Sequence, residues 1–228
     1  MGEAKRRREQ FRKTPPTCVF CGGIATTRDH VPPRNLFVPP RPRLITVPAC
    51  KICNSGISAF EDEFRVYVGV TDGPNTPEWF EFWSKGARRA VHQNDRLRRE
   101  LSNLGLLARS PFGGYGQTFK WPRENHHKVI EKLTRGLYYH HFGEILKPAV
   151  SFEITFLNEI NADLRQTILS MRCCNVGGVS RFAYAYGRLV EDRQVSMWIC
   201  QFYMRHWAVA ITKQEFCDTL RIEHELIS

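Results

Sequence analysis

Two Cys-x-x-Cys pairs, Cys18-Val-Phe-Cys21 and Cys50-Lys-Ile-Cys53, stand on either side of residues 22–49. Each pair puts two thiolates on one tight turn. Two such turns close a tetrahedral sulfur shell around Zn²⁺ and leave no position for a substrate. Cys18, Cys21, Cys50 and Cys53 are therefore the expected ligands of a structural zinc, whose binding energy is folding energy. A redox motif would need only one pair. The clamp joins the segment after Cys21 to the segment around Cys50. It draws Asp29 and His30 towards Asn54, the residue that follows Cys53.

Those three residue types have a coherent chemistry. Asp29 and Asn54 offer hard oxygen donors suited to Mg²⁺ or Mn²⁺. His30 can take a proton from water near neutral pH. A divalent ion held by two protein oxygens keeps positions open for phosphate oxygens and a leaving 3′ oxygen. The set reads as a phosphodiesterase constellation.

The order Cys-x-x-Cys, then Asp29-His30-Val31-Pro32-Pro33, then Cys-x-x-Cys-Asn54 resembles the HNH (ββα-metal) nucleases. It is most similar to members that carry a four-cysteine zinc and an Asp-His-Asn triad. The resemblance covers roughly residues 15–70. It implies Asp29 and Asn54 as ligands of a catalytic Mg²⁺ or Mn²⁺, His30 as general base, and Asn54 as the opening residue of the helix in the ββα unit. Many members carry a further His or Asn after the Cys-Asn step. Here the chain runs Ser55 to Glu63, with Glu61 and Asp62 as the nearest later oxygen donors.

The formal net charge of +10 suits a polyanionic partner, and DNA is the expected one. Arg28, Arg34, Arg88 and Arg89 are the candidate DNA-binding residues, with Arg41, Arg43 and the basic run through Lys85, Arg96, Arg98 and Arg99 as further candidates for phosphate contacts. Residues 1–14 read as a basic tail. No apolar run is long enough to span a membrane. The charged N-terminal segment does not read as a secretory leader, so a cytoplasmic protein is expected. The chain holds eight cysteines. Cys173, Cys174, Cys200 and Cys217, in strand-like surroundings, read as buried free thiols.

Hydrophobic periodicity gives the remaining elements. Strands are expected over 25–31 and 44–47, with an arginine-bearing loop over 34–43. Helices are expected over 54–70, 77–107 and 123–146, loops over 72–75 and 110–116. Ile57, Phe60, Phe64 and Val68 form the apolar face of the first helix, and Glu61, Asp62 and Glu63 its solvated or ion-paired side. Thr76 should cap the second helix, with Pro77 at its first position. The histidine pairs of the third read as surface or capping residues. Strands over 150–157, 181–190, 195–202 and 207–212, with a helix over 161–172, suggest an antiparallel meander. The expected class is α+β: a ββα-metal zinc module (15–72), a helical region (73–147) and an accessory α+β domain (148–228). The function expected is metal-dependent cleavage of DNA phosphodiesters, in a setting where defence against foreign DNA, a homodimer or protein partners are what the resemblance allows. The rivals are a zinc-stabilised nucleic-acid-binding module without hydrolysis and an interaction protein whose zinc only folds a docking surface.

Overall fold

A computed structural model describes residues 16–70, 76–109, 115–119, 123–157 and 159–214. The basic tail, the loop at 72–75 and Cys217 lie outside them. The described chain is mixed α+β, with helices and an antiparallel sheet.

Strands β1 (Thr27–Val31) and β2 (Ile45–Ala49) pair antiparallel, with Asp29 opposite Val47 and His30 opposite Thr46. A short helix α1 (Lys51–Ser55) follows directly, and α2 (Ser58–Val70) follows that. The helix expected over 54–70 is thus two pieces. Cys50 caps the first, its Sγ accepting from the Cys53 N–H at 3.3 Å. Asn54 falls in the last turn of α1 rather than opening α2.

The helix expected over 77–107 is broken as well. Thr76 caps α3 (Pro77–Glu81), its hydroxyl accepting from the Trp79 N–H at 3.3 Å. A π-helical turn, Phe82–Ala87, then leads into α4 (Arg88–Gln93). Asn94 is extended, and its side chain accepts from the Leu97 N–H, so it restarts the chain as α5 (Asp95–Leu104). Beyond it, β3 (Gly105–Arg109) pairs with β4 (Tyr115–Phe119). This hairpin replaces the expected helix end and part of the expected loop.

Helix α6 (Arg123–Phe142) is the central element and is buried on most of its circumference. It packs against the hairpin on one side and the large sheet on the other. That sheet holds β5 (Val150–Leu157), β6 (Arg172–Val176), β7 (Phe182–Arg188), β8 (Ser196–Phe202) and β9 (His206–Gln214), in the order β5-β9-β8-β7-β6. The meander is present, with α7 (Ala162–Ser170) between its first two strands in sequence. One apolar core runs from Val19, Val31 and Val47 of the hairpin region, through Phe64 and Leu133, to Trp198 and Phe202 of the sheet.

The expectations for the histidine pairs and for the strand cysteines change. Glu63 and His126 are buried, with Glu63 Oε1 3.1 Å from His126 Nε2. His141 bonds the Tyr184 hydroxyl at 2.9 Å. Cys173, on edge strand β6, is exposed and Cys174 half-buried, because only one strand flanks them; Cys200, in the sheet interior, is buried.

Gly136 sets how closely α6 approaches β1. A Cβ there would lie 2.4 Å from Val31 Cγ2, next to His30. Gly→Ala inside a helix ordinarily gains up to about 1 kcal/mol. Overpacking a full core costs about 1–3 kcal/mol, so here the sign reverses. Gly136→Ala is expected to lower the melting temperature by roughly 2–6 °C, measured by thermal unfolding. An unchanged or raised melting temperature would contradict this packing.

Candidate active site and metal centre

The first cysteine pair sits on a turn closed by backbone hydrogen bonds. Cys18 N donates to Gly23 O at 2.6 Å and Gly22 N to Cys18 O at 2.9 Å. Gly22 lies at φ +77°, a conformation that glycine adopts without strain. The second pair spans the step from β2 into α1. The four sulfur atoms lie within 4.8 Å of one another, and Cys21 Sγ is 3.8 Å from Cys50 Sγ. A tetrahedron with Zn–S bonds of about 2.3 Å has edges of about 3.8 Å, so the donor set fits a metal such as zinc. The Cys53 N–H, pointing at Cys50 Sγ, pushes the Cys50 thiol down to about 7, while burial and the neighbouring sulfurs push the Cys53 thiol up. Among the described residues this is the only group of three or more His, Cys, Asp or Glu donors so gathered.

A cleft of about 610 Å³ lies beside it, and Asp29, His30 and Asn54 all line it. Asp29 is 7% exposed, and its Oδ1 accepts from the His30 main-chain N–H at 2.8 Å. Asn54 Nδ2 donates to Thr27 Oγ1 at 3.0 Å and Arg28 O at 3.3 Å. That ties its carboxamide nitrogen to β1. A carboxylate and a carboxamide oxygen, the donor types that suit a hard cation, thus line the same cleft. The pKa of His30 is lowered from its ordinary value, first by burial and then by the charge of Arg34, so the imidazole is neutral at pH 7.

Arg34, Arg41, Arg65, Lys85 and Arg89 bring positive charge to the same cleft. Of the four arginines singled out for DNA, Arg34 and Arg89 are there. Arg28 is not; its guanidinium crosses the hairpin to Thr46 Oγ1 at 3.0 Å and Thr46 O at 2.7 Å. Arg88 is exposed outside the lining. The acidic run on α2 splits three ways. Asp62 Oδ1 takes Asn35 at 3.1 Å and Arg65 at 3.0 Å. Glu63 faces His126. Glu61 meets Lys132 at 2.9 Å. Burial raises the Glu61 pKa, against the lowering pull of Lys132.

Lys132, from α6, is the residue that sequence reasoning missed. Its ammonium is 2.6 Å from Asp29 Oδ2. Nothing in its local sequence marks it, because its partners lie far back in the chain.

Comparison with protein-family models, curated proteins and solved structures gives no match to this chain. Among the described residues no helix is long and apolar enough to cross a membrane.

Proposed function

We propose that the cleft is a phosphodiesterase site and that the chain is a metal-dependent endonuclease of the HNH type acting on DNA. One observation carries the reading: Asp29, His30 and Asn54 line a single basic cleft beside a four-cysteine centre. The hairpin β1–β2 with helices directly after it agrees with that assignment.

The protein's own groups have separable roles. Neutral His30 accepts the proton of the attacking water. Asp29 and Asn54 would hold a divalent ion, which when bound would supply Lewis-acid stabilisation of the phosphate and the leaving 3′ oxygen. Arg34, Arg41, Lys85 and Arg89 neutralise phosphates of the substrate. The products are 5′-phosphate and 3′-hydroxyl ends, and one site cuts one strand.

Supercoiled plasmid should be nicked with Mg²⁺ or Mn²⁺ and left intact with EDTA. One feature favours the rival, a DNA-binding module without hydrolysis: the Lys132 ammonium already sits on Asp29. DNA binding with no cleavage of plasmid, single strands or branched DNA under either metal would select that rival.

The cleft assignment makes a separate prediction. Arg89→Ala and Arg34→Ala should each weaken DNA binding and flatten the slope of log K against log salt by about 0.9, the value of one lost phosphate contact. Arg28→Ala, which removes a guanidinium held by Thr46, should leave that slope unchanged. Equal flattening by all three in a binding titration would place the DNA path elsewhere.

A further inference from the structure

Lys132 joins the site from a helix outside the hairpin module. Its Nζ is 2.6 Å from Asp29 Oδ2, 2.9 Å from Glu61 Oε1 and 3.3 Å from Asn54 O. These three acceptors match the three donors of an ammonium. The same nitrogen lies 5.5 Å from the ring centre of Phe20, inside the first cysteine pair. The side chains of Lys132, Asp29 and Glu61 are 12%, 9% and 15% exposed, so water screens these charges weakly. Two carboxylates against one ammonium leave one net negative charge. A divalent cation entering here meets too little negative charge, and a fixed positive one nearby. A phosphate arriving from the cleft would supply the missing charge.

We propose that Lys132 is a positioning residue of this site: it clamps Asp29 and Glu61, and its charge keeps the affinity of the Asp29–Asn54 pair for a divalent cation low until an anionic substrate is present. The inference rests on the nuclease reading above. It makes the central helix part of the site and gives the ammonium a role that a merely structural ion pair lacks.

The test is Mn²⁺ binding to the full, zinc-loaded chain without DNA, read from the loss of the free Mn²⁺ signal in electron paramagnetic resonance. Lys132→Met should bind Mn²⁺ at least about tenfold more tightly than wild type, because a nearby like charge is gone. Lys132→Arg, which keeps the charge, should bind as wild type does. Adding Asp29→Asn to Lys132→Met should abolish the gain. Lys132→Gln, neutral but able to hydrogen-bond, gives the same reading if the Met variant fails to fold. Unchanged or weaker Mn²⁺ binding in a folded neutral variant overturns the proposal, as does absence of Mn²⁺ binding in every form. The readout does not require catalysis. Tightened Mn²⁺ binding in the neutral variants with no DNA cleavage in wild type would keep the charge effect of Lys132 on the cation and remove the nuclease reading, and with it the part given to the substrate.

Discussion

Cys50→Ser is expected to strip the chain of its one zinc equivalent and to unravel residues 17–26 while the five-stranded sheet stays folded. Serine is a good helix cap, so the change keeps the α1 cap that the Cys50 sulfur provides and isolates the loss of a ligand. The small apolar cluster at the sulfurs buries Cys18, Ala25 and Ala49, with Phe20, Cys50 and Cys53 partly buried against it. At about 25 cal/mol per Å², packing of that size contributes a few kcal/mol. A structural zinc contributes about 10–16 kcal/mol in isolated zinc-finger peptides. A zinc held by the four sulfurs would therefore dominate locally. β1 and β2 are held better, since Val31 and Val47 sit in the main core and the two strands pair with each other, whereas residues 17–26 add only Val19 to that core, with Phe20 packed against it. Metal analysis should find about one zinc per chain in wild type and none in the variant, with new protease cleavage near Cys18. Cys173→Ser, at an exposed thiol away from the cluster, should keep the zinc. A Cys50→Ser protein that retains a full equivalent would rule out the four-cysteine site.

What could be read in advance follows from how local the cause is. Cysteine spacing, the Thr76 cap with Pro77 behind it, and the alternation of β7, β8 and β9 all act over a few residues, and the structure shows those elements. β6 was not legible, because an edge strand exposed on most positions carries no alternation. The break at Asn94 depended on one side chain preferring to cap rather than continue a helix. The acidic run Glu61-Asp62-Glu63 reads as a solvated or ion-paired side, and Asp62 does pair with Arg65, but the partners of Glu61 and Glu63 have no local signal. Successive helical residues point about 100° apart, so each meets a different neighbour, and Asn35, His126 and Lys132 come from distant parts of the chain. Lys132 is the sharpest case: its place between Asp29 and Glu61 exists only once α6 has docked on the hairpin. The approach of that helix is in turn set by Gly136 against Val31.

His30→Ala should reduce plasmid cleavage by roughly 10²- to 10⁴-fold, the usual contribution of a positioned general base, with DNA binding and zinc content unchanged. The size of the loss separates two roles. A histidine that only contacts a phosphate would weaken binding, through the salt-dependent term shared with Arg34 and Arg89. A base acts on the chemical step, so saturating DNA would not restore the rate. The pH profile adds an independent check. The base works when neutral, and burial together with Arg34 holds the His30 pKa below its ordinary 6.5. The wild-type rate should therefore be level across neutral pH and fall as acid protonates the imidazole, with a midpoint below 6.5. Replacing Arg34 by Ala removes the larger of two arginine charges that act with burial, Arg41 being the other, so the midpoint should move up towards the ordinary value. A rate that still climbs between pH 7 and 8, or a His30→Ala protein that cuts within tenfold of wild type at saturating DNA, would assign the proton transfer to another group.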